Sequence, residues 1–348
     1  MSTSPANRTN PQAALDYIWE QYRTWDNTAA QLRAKLAFWR RLVLALGIAG
    51  ALAATLSTYT PVTDWARAAG AGSLQSGLPR YLGALSAILL GLVAVLSQKV
   101  VSQKQEEQWV RARGAAEAFR REAFLLAASA PPYDAGPSTA PAEAINLGLE
   151  EDKDLLPAPP GPAGQGDAVP PSYPLSVDGY LTSRLVQQMD WYNGRAGEHQ
   201  KKLKAIGAVT FGLGLLAGLL GVLSADWTAP LVAVITTVIA TLTTFLYAWR
   251  YQYMVASYLA TARRLRALRA RWLTSGKTDA DTADRNQLIL ECEGILGAEN
   301  NAWVTELNRQ DATASAAVAN RPAQLPNGGA PAQAPAGGAK VPGAKPQA

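Results

Sequence analysis

The chain has 348 residues, a formal net charge of +5 and one cysteine, Cys292, which excludes a disulfide-framed scaffold. Its hydrophobic fraction, 48%, is ordinary for a soluble protein, but the apolar residues concentrate in four runs without a single Asp, Glu, Lys, Arg or His. Runs of about 17–25 such residues match the thickness of a bilayer core, so the average conceals a membrane protein.

In chain order, residues 1–11 carry no pattern and are expected to be disordered. A polar and aromatic prelude, YIWEQYRTWDNTAA from Tyr17, leads into the first run, about 42–60. The charged, helical stretch ahead of that run makes it an internal signal-anchor rather than a cleavable signal. The second run spans about 81–97, and after it Trp109, Ala116, Phe119 and Ala123 recur at helical spacing. Together these elements form a first two-transmembrane module, 12–130. Residues 131–177 are dense in Pro, Ala and Gly, with an acidic patch at 150–154, and read as a disordered linker that cannot offset its ordering entropy.

A second prelude, YLTSRLVQQMDWYNGRA from Tyr180, leads into runs at about 206–225 and 230–249, giving a second module, 178–310. Gly207, Gly214, Gly218 and Gly221 share one face of the third run, and Gly214 and Gly218 form a small-xxx-small pair suited to helix packing. On the fourth run Thr237, Thr241 and Thr244 form a weakly polar stripe with Ala233. That stripe fits either a pore lining in an oligomer or an interface in which each Thr bonds back to its own helix. Beyond it Met254, Tyr258, Ala262, Leu265, Leu268 and Trp272 make an apolar stripe on a helix expected to continue out of the membrane as one rod. Arg263, Arg264, Arg266, Arg269 and Arg271 crowd the rest of that helix. They fit ordinary solvation of a positive flank, contact with anionic lipid headgroups or a partner, or binding of nucleic acid or a charged nucleotide. A last amphipathic helix carries Leu288, Cys292, Ile295, Glu299 and Trp303, and the tail, 311–348, is expected to be disordered.

Lys and Arg flank the runs asymmetrically. Arg33, Lys35, Arg40 and Arg41 precede the first and Lys99, Lys104, Arg111 and Arg113 follow the second. Arg195, Lys201, Lys202 and Lys204 precede the third, and Arg250 follows the fourth. Positive flanks stay inside, so both termini and the linker are expected in the cytoplasm of a cell with the protein in its inner (plasma) membrane. Trp39 and Trp249 would mark the inner interface, and Trp65 and Trp227 the outer.

Chemistry leaves few traces. No ionisable residue lies at membrane depth, which argues against proton relays, ion-coupled carriers and voltage sensors. The lone histidine, His199, reads as a surface residue, and Cys292 as a packing residue. No phosphate loop, metal-ligand spacing or nucleophile–base arrangement is visible, so no catalytic residue, cofactor or metal is expected and the chain is not read as an enzyme. No nucleic-acid fold accompanies the basic residues, so nucleic acid is not an expected partner.

Tyr180, Leu181, Arg184, Gln188, Trp191, Tyr192 and Ala196 resemble the entry helix of the SLATT superfamily, the SMODS- and SLOG-associating two-transmembrane effector domains. Tyr258, Thr261, Ala262, Leu265 and Trp272 resemble its exit helix, and Glu293, Glu299 and Trp303 its terminal helix. Trp109, Arg113, Ala116 and Glu117, with Pro132 and Tyr133 closing the module, resemble a divergent branch, so the chain looks like two tandem copies. The resemblance implies a prokaryotic membrane effector of a nucleotide-signalled conflict system that forms pores once a separate partner senses infection. It supplies no catalytic residues.

The fold expected is therefore all-α and polytopic: four transmembrane helices in two tandem hairpins with long cytosolic amphipathic helices. The function expected is that of an oligomeric, pore-forming or membrane-perturbing effector. The alternative is a membrane scaffold, without a pore, that recruits a cytosolic partner.

Overall fold

Long stretches with apolar side chains at 3.6-residue spacing and few interior breakers dictate helices. The computed structural model, which describes residues 10–58, 78–99, 103–151, 153–160, 169–223 and 228–319, contains helices and no strands among them. Trp65, Trp227, residues 161–168 of the linker and residues 320–348 of the tail lie outside the described residues. The chain divides into a unit at Met1–Thr305 and another at Glu306–Ala348. Of the second, residues 311–319 are helical where the composition predicts a disordered tail.

Helix α1, Pro11–Thr58, has 48 residues and a length of about 72 Å at 1.5 Å per residue. Asn10 starts it, its Oδ1 accepting from the Gln12 backbone N–H at 3.0 Å, with Pro11 at the first helical position. Its first turns bury Leu15, Ile18, Trp19, Tyr22 and Trp25, one helical face, and its second half is the first apolar run. Helix α2, Leu78–Lys99, holds the second run, and α3, Gln103–Ala127, carries the stripe after it. The short α4, Ala140–Glu150, precedes α5, Val177–Val222, which again passes without a break from its prelude into an apolar run. Ser176 caps α5, accepting from the Gly179 N–H at 3.1 Å. Helices α6, Thr228–Ala248, α7, Tyr251–Thr274, and α8, Thr282–Ala319, complete the chain.

Four helices are long and apolar enough to cross a membrane, and little of their apolar windows is buried. The chain is a multi-pass membrane protein on this ground. The spans do not stand as two separate hairpins. Helix α1 packs against both α2 and α6, and α5 packs against α6, so the first helix of one half touches the last span of the other. Outside the spans, α1, α3, α5, α7 and α8 share one hydrophobic core drawn from both halves.

The exit helix of the second half is not one rod. Arg250 adopts a left-handed conformation, φ 49° and ψ 34°, between α6 and α7. The reversal lets Trp249 and Tyr251 stack at 5.9 Å, with the Arg40 guanidinium 5.1 Å from the Trp249 ring. The linker, where described, is held rather than disordered. Its helix α4 buries Ala142, and Leu155 and Tyr133 join the core. Hydrogen bonds strap it down: Ala158 N to Thr28 Oγ1 at 2.8 Å, Asn146 Nδ2 to Tyr17 Oη at 3.0 Å, and Leu175 N to the Ala127 carbonyl at 2.8 Å. Sparse anchors and backbone hydrogen bonds supply what periodic apolar residues do not.

Candidate functional site

The residues of the second prelude recur every four positions, which places Tyr180, Arg184, Gln188 and Tyr192 along one side of α5. A π-helical turn at Leu181–Val186 lies within the series and holds Arg184. Such turns lose hydrogen-bond regularity and concentrate at functional positions. Arg184 is 1% exposed. Its Nε donates to Glu293 Oε1 at 2.9 Å and its Nη2 to Glu293 Oε2 at 2.8 Å, a two-point fork onto α8. Tyr180 Oη donates to Glu293 Oε1 at 2.8 Å, and Arg184 Nη1 lies 3.7 Å from Glu117 Oε2 of α3. The guanidinium carbon sits 5.0 Å from the Phe124 ring centre, closing the pocket from the other side.

A second node lies two turns along α8. Tyr192 Oη donates to Glu299 Oε2 at 3.2 Å, and Arg113 Nη2 stands 3.7 Å from the same oxygen. Arg113 Nη1 also donates to Tyr258 Oη of α7 at 3.5 Å. Trp191, Tyr192 and Tyr258 pack ring against ring, with centres 5.0–5.6 Å apart, and Arg113 lies over Trp191 at 5.5 Å. Arg113 and Glu117 are one helical turn apart on α3, so one face of α3 serves both nodes.

Charge and burial oppose each other throughout. Burial alone would lower the Arg184 pKa, but Glu293, hydrogen-bonded to it, and then Glu117 hold it well above its ordinary value. Burial would raise the Glu117 pKa, and Arg120, Arg184 and Arg113 outweigh it and bring it down. Tyr180 and Tyr192 are pushed up, first by burial and then by neighbours that include Glu293 and Glu299 respectively, so both phenols stay protonated as donors. Burial, then Glu293, pushes the Cys292 thiol up to about 12, which leaves it an unreactive packing residue. A buried pair of this kind adds little net stability over apolar packing, yet it fixes which helix faces meet.

Tyr180, Arg184, Tyr192, Arg113, Glu117 and Glu299 all enter this network. Gln188 is buried beside it, and Trp109 and Trp191 flank it. The Trp303 side chain lies outside the described residues. Glu293 is the central acceptor. It was legible only through the family resemblance, because a lone Glu on an amphipathic helix carries no signal of burial.

The other candidates disperse. Gly207, Gly214, Gly218 and Gly221 are exposed, and a Cβ added at any of them would meet no atom within 4 Å, so among the described residues none of them marks a close helix approach. The close approach occurs instead at Gly50 of α1, where a Cβ would lie 2.9 Å from Leu90 Cδ2 and where Ser86 Oγ donates to the Gly50 carbonyl at 2.9 Å. Thr237, Thr241 and Thr244 donate to the carbonyls of Ala233, Thr237 and Ala240 at 2.7–2.9 Å. Thr241 is half-buried against Gly47 of α1, while Thr237 and Thr244 are exposed. Arg263, Arg264, Arg266, Arg269 and Arg271 are exposed, and Arg271 pairs with Glu291. They stand about 18–30 Å along α7 from its membrane end, too far for its own flank to lie on headgroups if the helix runs upright.

His199 is corrected most fully. It is 3% exposed, not a surface residue, and lies 5.2 Å from the Tyr251 ring and 6.0 Å from that of Tyr258. Burial, then Lys202 and Arg33, lower its pKa to about 4. Among the described residues no three His, Cys, Asp or Glu side chains gather as metal ligands would.

Against this geometry the family comparisons divide the chain. Residues 180–303 match the model of SMODS and SLOG-associating 2TM effector domain 1. Residues 21–140 match a different model, a family described only as a protein of unknown function, DUF4231. No curated protein and no solved structure matches the chain significantly.

Proposed function

With residues 180–303 belonging to the SMODS and SLOG-associating 2TM effector family, we propose that the chain is an oligomeric membrane effector of a prokaryotic nucleotide-signalled conflict system. Its spans perturb or perforate the bilayer when a separate signalling partner acts on the bundle outside it. The first half serves as a divergent copy of the same design: prelude, apolar hairpin, amphipathic exit helix. The chain performs no chemistry of its own in this reading.

One observation carries the proposal. The Arg184–Glu293 fork sits on α5, which runs from that node into an apolar span without interruption. A displacement of α8 that breaks or shifts the fork therefore moves the span directly. The exposed faces of α5, with Phe211, Leu219 and Val222 among them, leave apolar surface for lipid or further copies.

Forced expression in bacteria, with the signalling partner present, should depolarise the cells as read by a potential-sensitive dye. Replacing Thr237, Thr241 and Thr244 with Leu should lower the leak per inserted protein, because a dry apolar lining resists wetting. If the leak falls only in step with protein level, the threonines serve packing alone. The basic face of α7, exposed and remote from the span, favours a second reading, a scaffold that recruits a partner. Recruitment without depolarisation would establish that reading in place of the effector.

Both ends and the linker lie in the cytoplasm under this proposal. In a Cys292→Ala background, cysteines placed at Ser73 and Ser224 should label from outside the cell and one at Ser138 should not. The reverse pattern would overturn the orientation.

A further inference from the structure

The linker and the outer face of α7 present opposite charges to solvent. A groove of about 710 Å³ opens between the first turns of α1 and the linker. The Asn146–Tyr17 and Ala158–Thr28 hydrogen bonds hold its two walls together. Glu20, Glu143 and Glu150 line it, with Lys153 as the one cation among its lining residues, a net charge of −2. The three carboxylates are exposed and make no ion pair among the described residues; Glu143 accepts only from Thr139 Oγ1, at 2.7 Å. Leu147 and Leu156 add apolar surface to the groove and are 64% and 81% exposed.

Helix α7 is the complement. It carries five arginines and neither Asp nor Glu. Arg271 pairs with Glu291, but Arg263, Arg266 and Arg269 are exposed and make no ion pair among the described residues. They recur at every third position, which sets them in one ridge along the helix, and Ala270 and Leu273 beside them are exposed too. Charge and apolar surface therefore match on both sides: three arginines with a leucine against three glutamates with two. The heights agree as well. Copies in one bilayer stand at the same level, so surfaces that meet between copies must lie equally far from the membrane. Tyr17–Trp25, the α1 wall of the groove, lie about 25–38 Å before the first apolar run, and Arg263–Leu273 lie about 18–33 Å past the start of α7. The two bands overlap by about 7–8 Å, more than one helical turn.

The geometry points to an interface between copies of this chain, with the Arg263–Arg266–Arg269 ridge of one copy seated in the α1–linker groove of the next. The assignment rests on the oligomeric part of the effector reading and supplies its contact. The two surfaces differ, so the contact is head-to-tail and repeats from copy to copy, giving a ring when its rotation closes. The ordered part of the linker then has a role: it completes the wall that receives the neighbour.

The test uses the full chain in membranes, in a Cys292→Ala background, co-expressed with two different tags. One tagged copy carries Leu147→Cys and the other Ala270→Cys. Oxidation should join unlike tags and leave like-tag dimers at background. Glu20→Arg/Glu143→Arg/Glu150→Arg in the first copy should lower the mixed dimer at least roughly tenfold, because like charges then meet. Arg263→Glu/Arg266→Glu/Arg269→Glu in the second copy should restore it. Should a reversed chain not fold, salt takes its place. Raising it from about 0.1 M to about 1 M shortens the screening length from about 10 to about 3 Å and should lower the mixed dimer on the unreversed charges. No mixed dimer, dimers of like tags, or a yield unmoved by reversal and by salt overturns the interface. Shielding of Leu147→Cys from a maleimide without a mixed dimer assigns the groove to a different protein and overturns it equally. Amine cross-linking of the parent chain separates the two failures. Oligomer bands without the mixed dimer sink this interface alone, and the absence of bands sinks the oligomer with it.

Discussion

The two entry helices and the second exit helix solve the same crossing in different ways. α1 and α5 run unbroken from the extramembrane bundle into the apolar spans. On the return in the second half, α6 and α7 are separated by the left-handed Arg250. A continuous helix transmits rotation and tilt; an interrupted one absorbs them. The entry helices are therefore the couplers between bundle and membrane. The second exit helix lets the bundle rearrange its outer faces without dragging its own span along.

The sharpest way to break this comparison is to cut the anchor of α5. Arg184→Met leaves Glu293 buried with Tyr180 alone, and breaking such a pair costs about 3–5 kcal/mol. Thermal unfolding in detergent should show that loss, while Arg263→Met on the exposed face of α7 should stay within about 0.5 kcal/mol. Equal effects would mean the fork anchors nothing.

A smaller effect is expected where the entry helix of the first half meets its return. Gly50→Leu forces a side chain into Leu90, and overpacking of this kind costs about 1–3 kcal/mol. Gly214→Leu, in open space on α5, should leave the stability of one chain unchanged. Any loss it causes should appear in cross-linking between copies, and a destabilised monomer would show that this face packs within the chain after all.

The break in the second exit helix is testable by its strain. A non-glycine residue in the left-handed region pays about 1 kcal/mol that glycine does not. Arg250→Gly should therefore melt higher than Arg250→Ala by about that amount, and equal midpoints would mean the reversal is not maintained in solution.

The smallest effect at neutral pH comes from His199, beside the end of the first turn into the span. Its folded pKa, about 4, lies below the ordinary value of 6.5. The neutral ring thus stabilises the fold fully above pH 6.5, and the contribution is lost as pH falls from 6.5 through 4. His199→Gln should flatten that part of the curve of midpoint against pH, and an unchanged slope would place the acid sensitivity elsewhere.

The sequence made the spans plain because charge is absent from them over their whole length. It also marked the network, since Tyr180, Arg184, Gln188 and Tyr192 repeat at four-residue intervals. What it hid depends on partners distant in the chain. Gly214 and Gly218 have the spacing of an interface, but Gly50 has the neighbour, and only tertiary packing distinguishes them. His199 sits among charges in sequence and against tyrosines in space. The linker lacks apolar periodicity, yet Thr28 and Tyr17, more than a hundred residues earlier, supply its hydrogen bonds.

The position of Glu293 and Glu299 late in the chain sets an order on biosynthesis. A ribosome delivers all four apolar spans to the membrane before either glutamate emerges, and domains otherwise tend to fold from the N-terminus as they appear. Until α8 arrives, Arg184 has no fork partner and Arg113 lacks Glu299. The extramembrane core therefore closes last, after insertion is complete, and a nascent chain arrested short of residue 293 presents cationic, unsealed helices to the quality-control proteases of the cell.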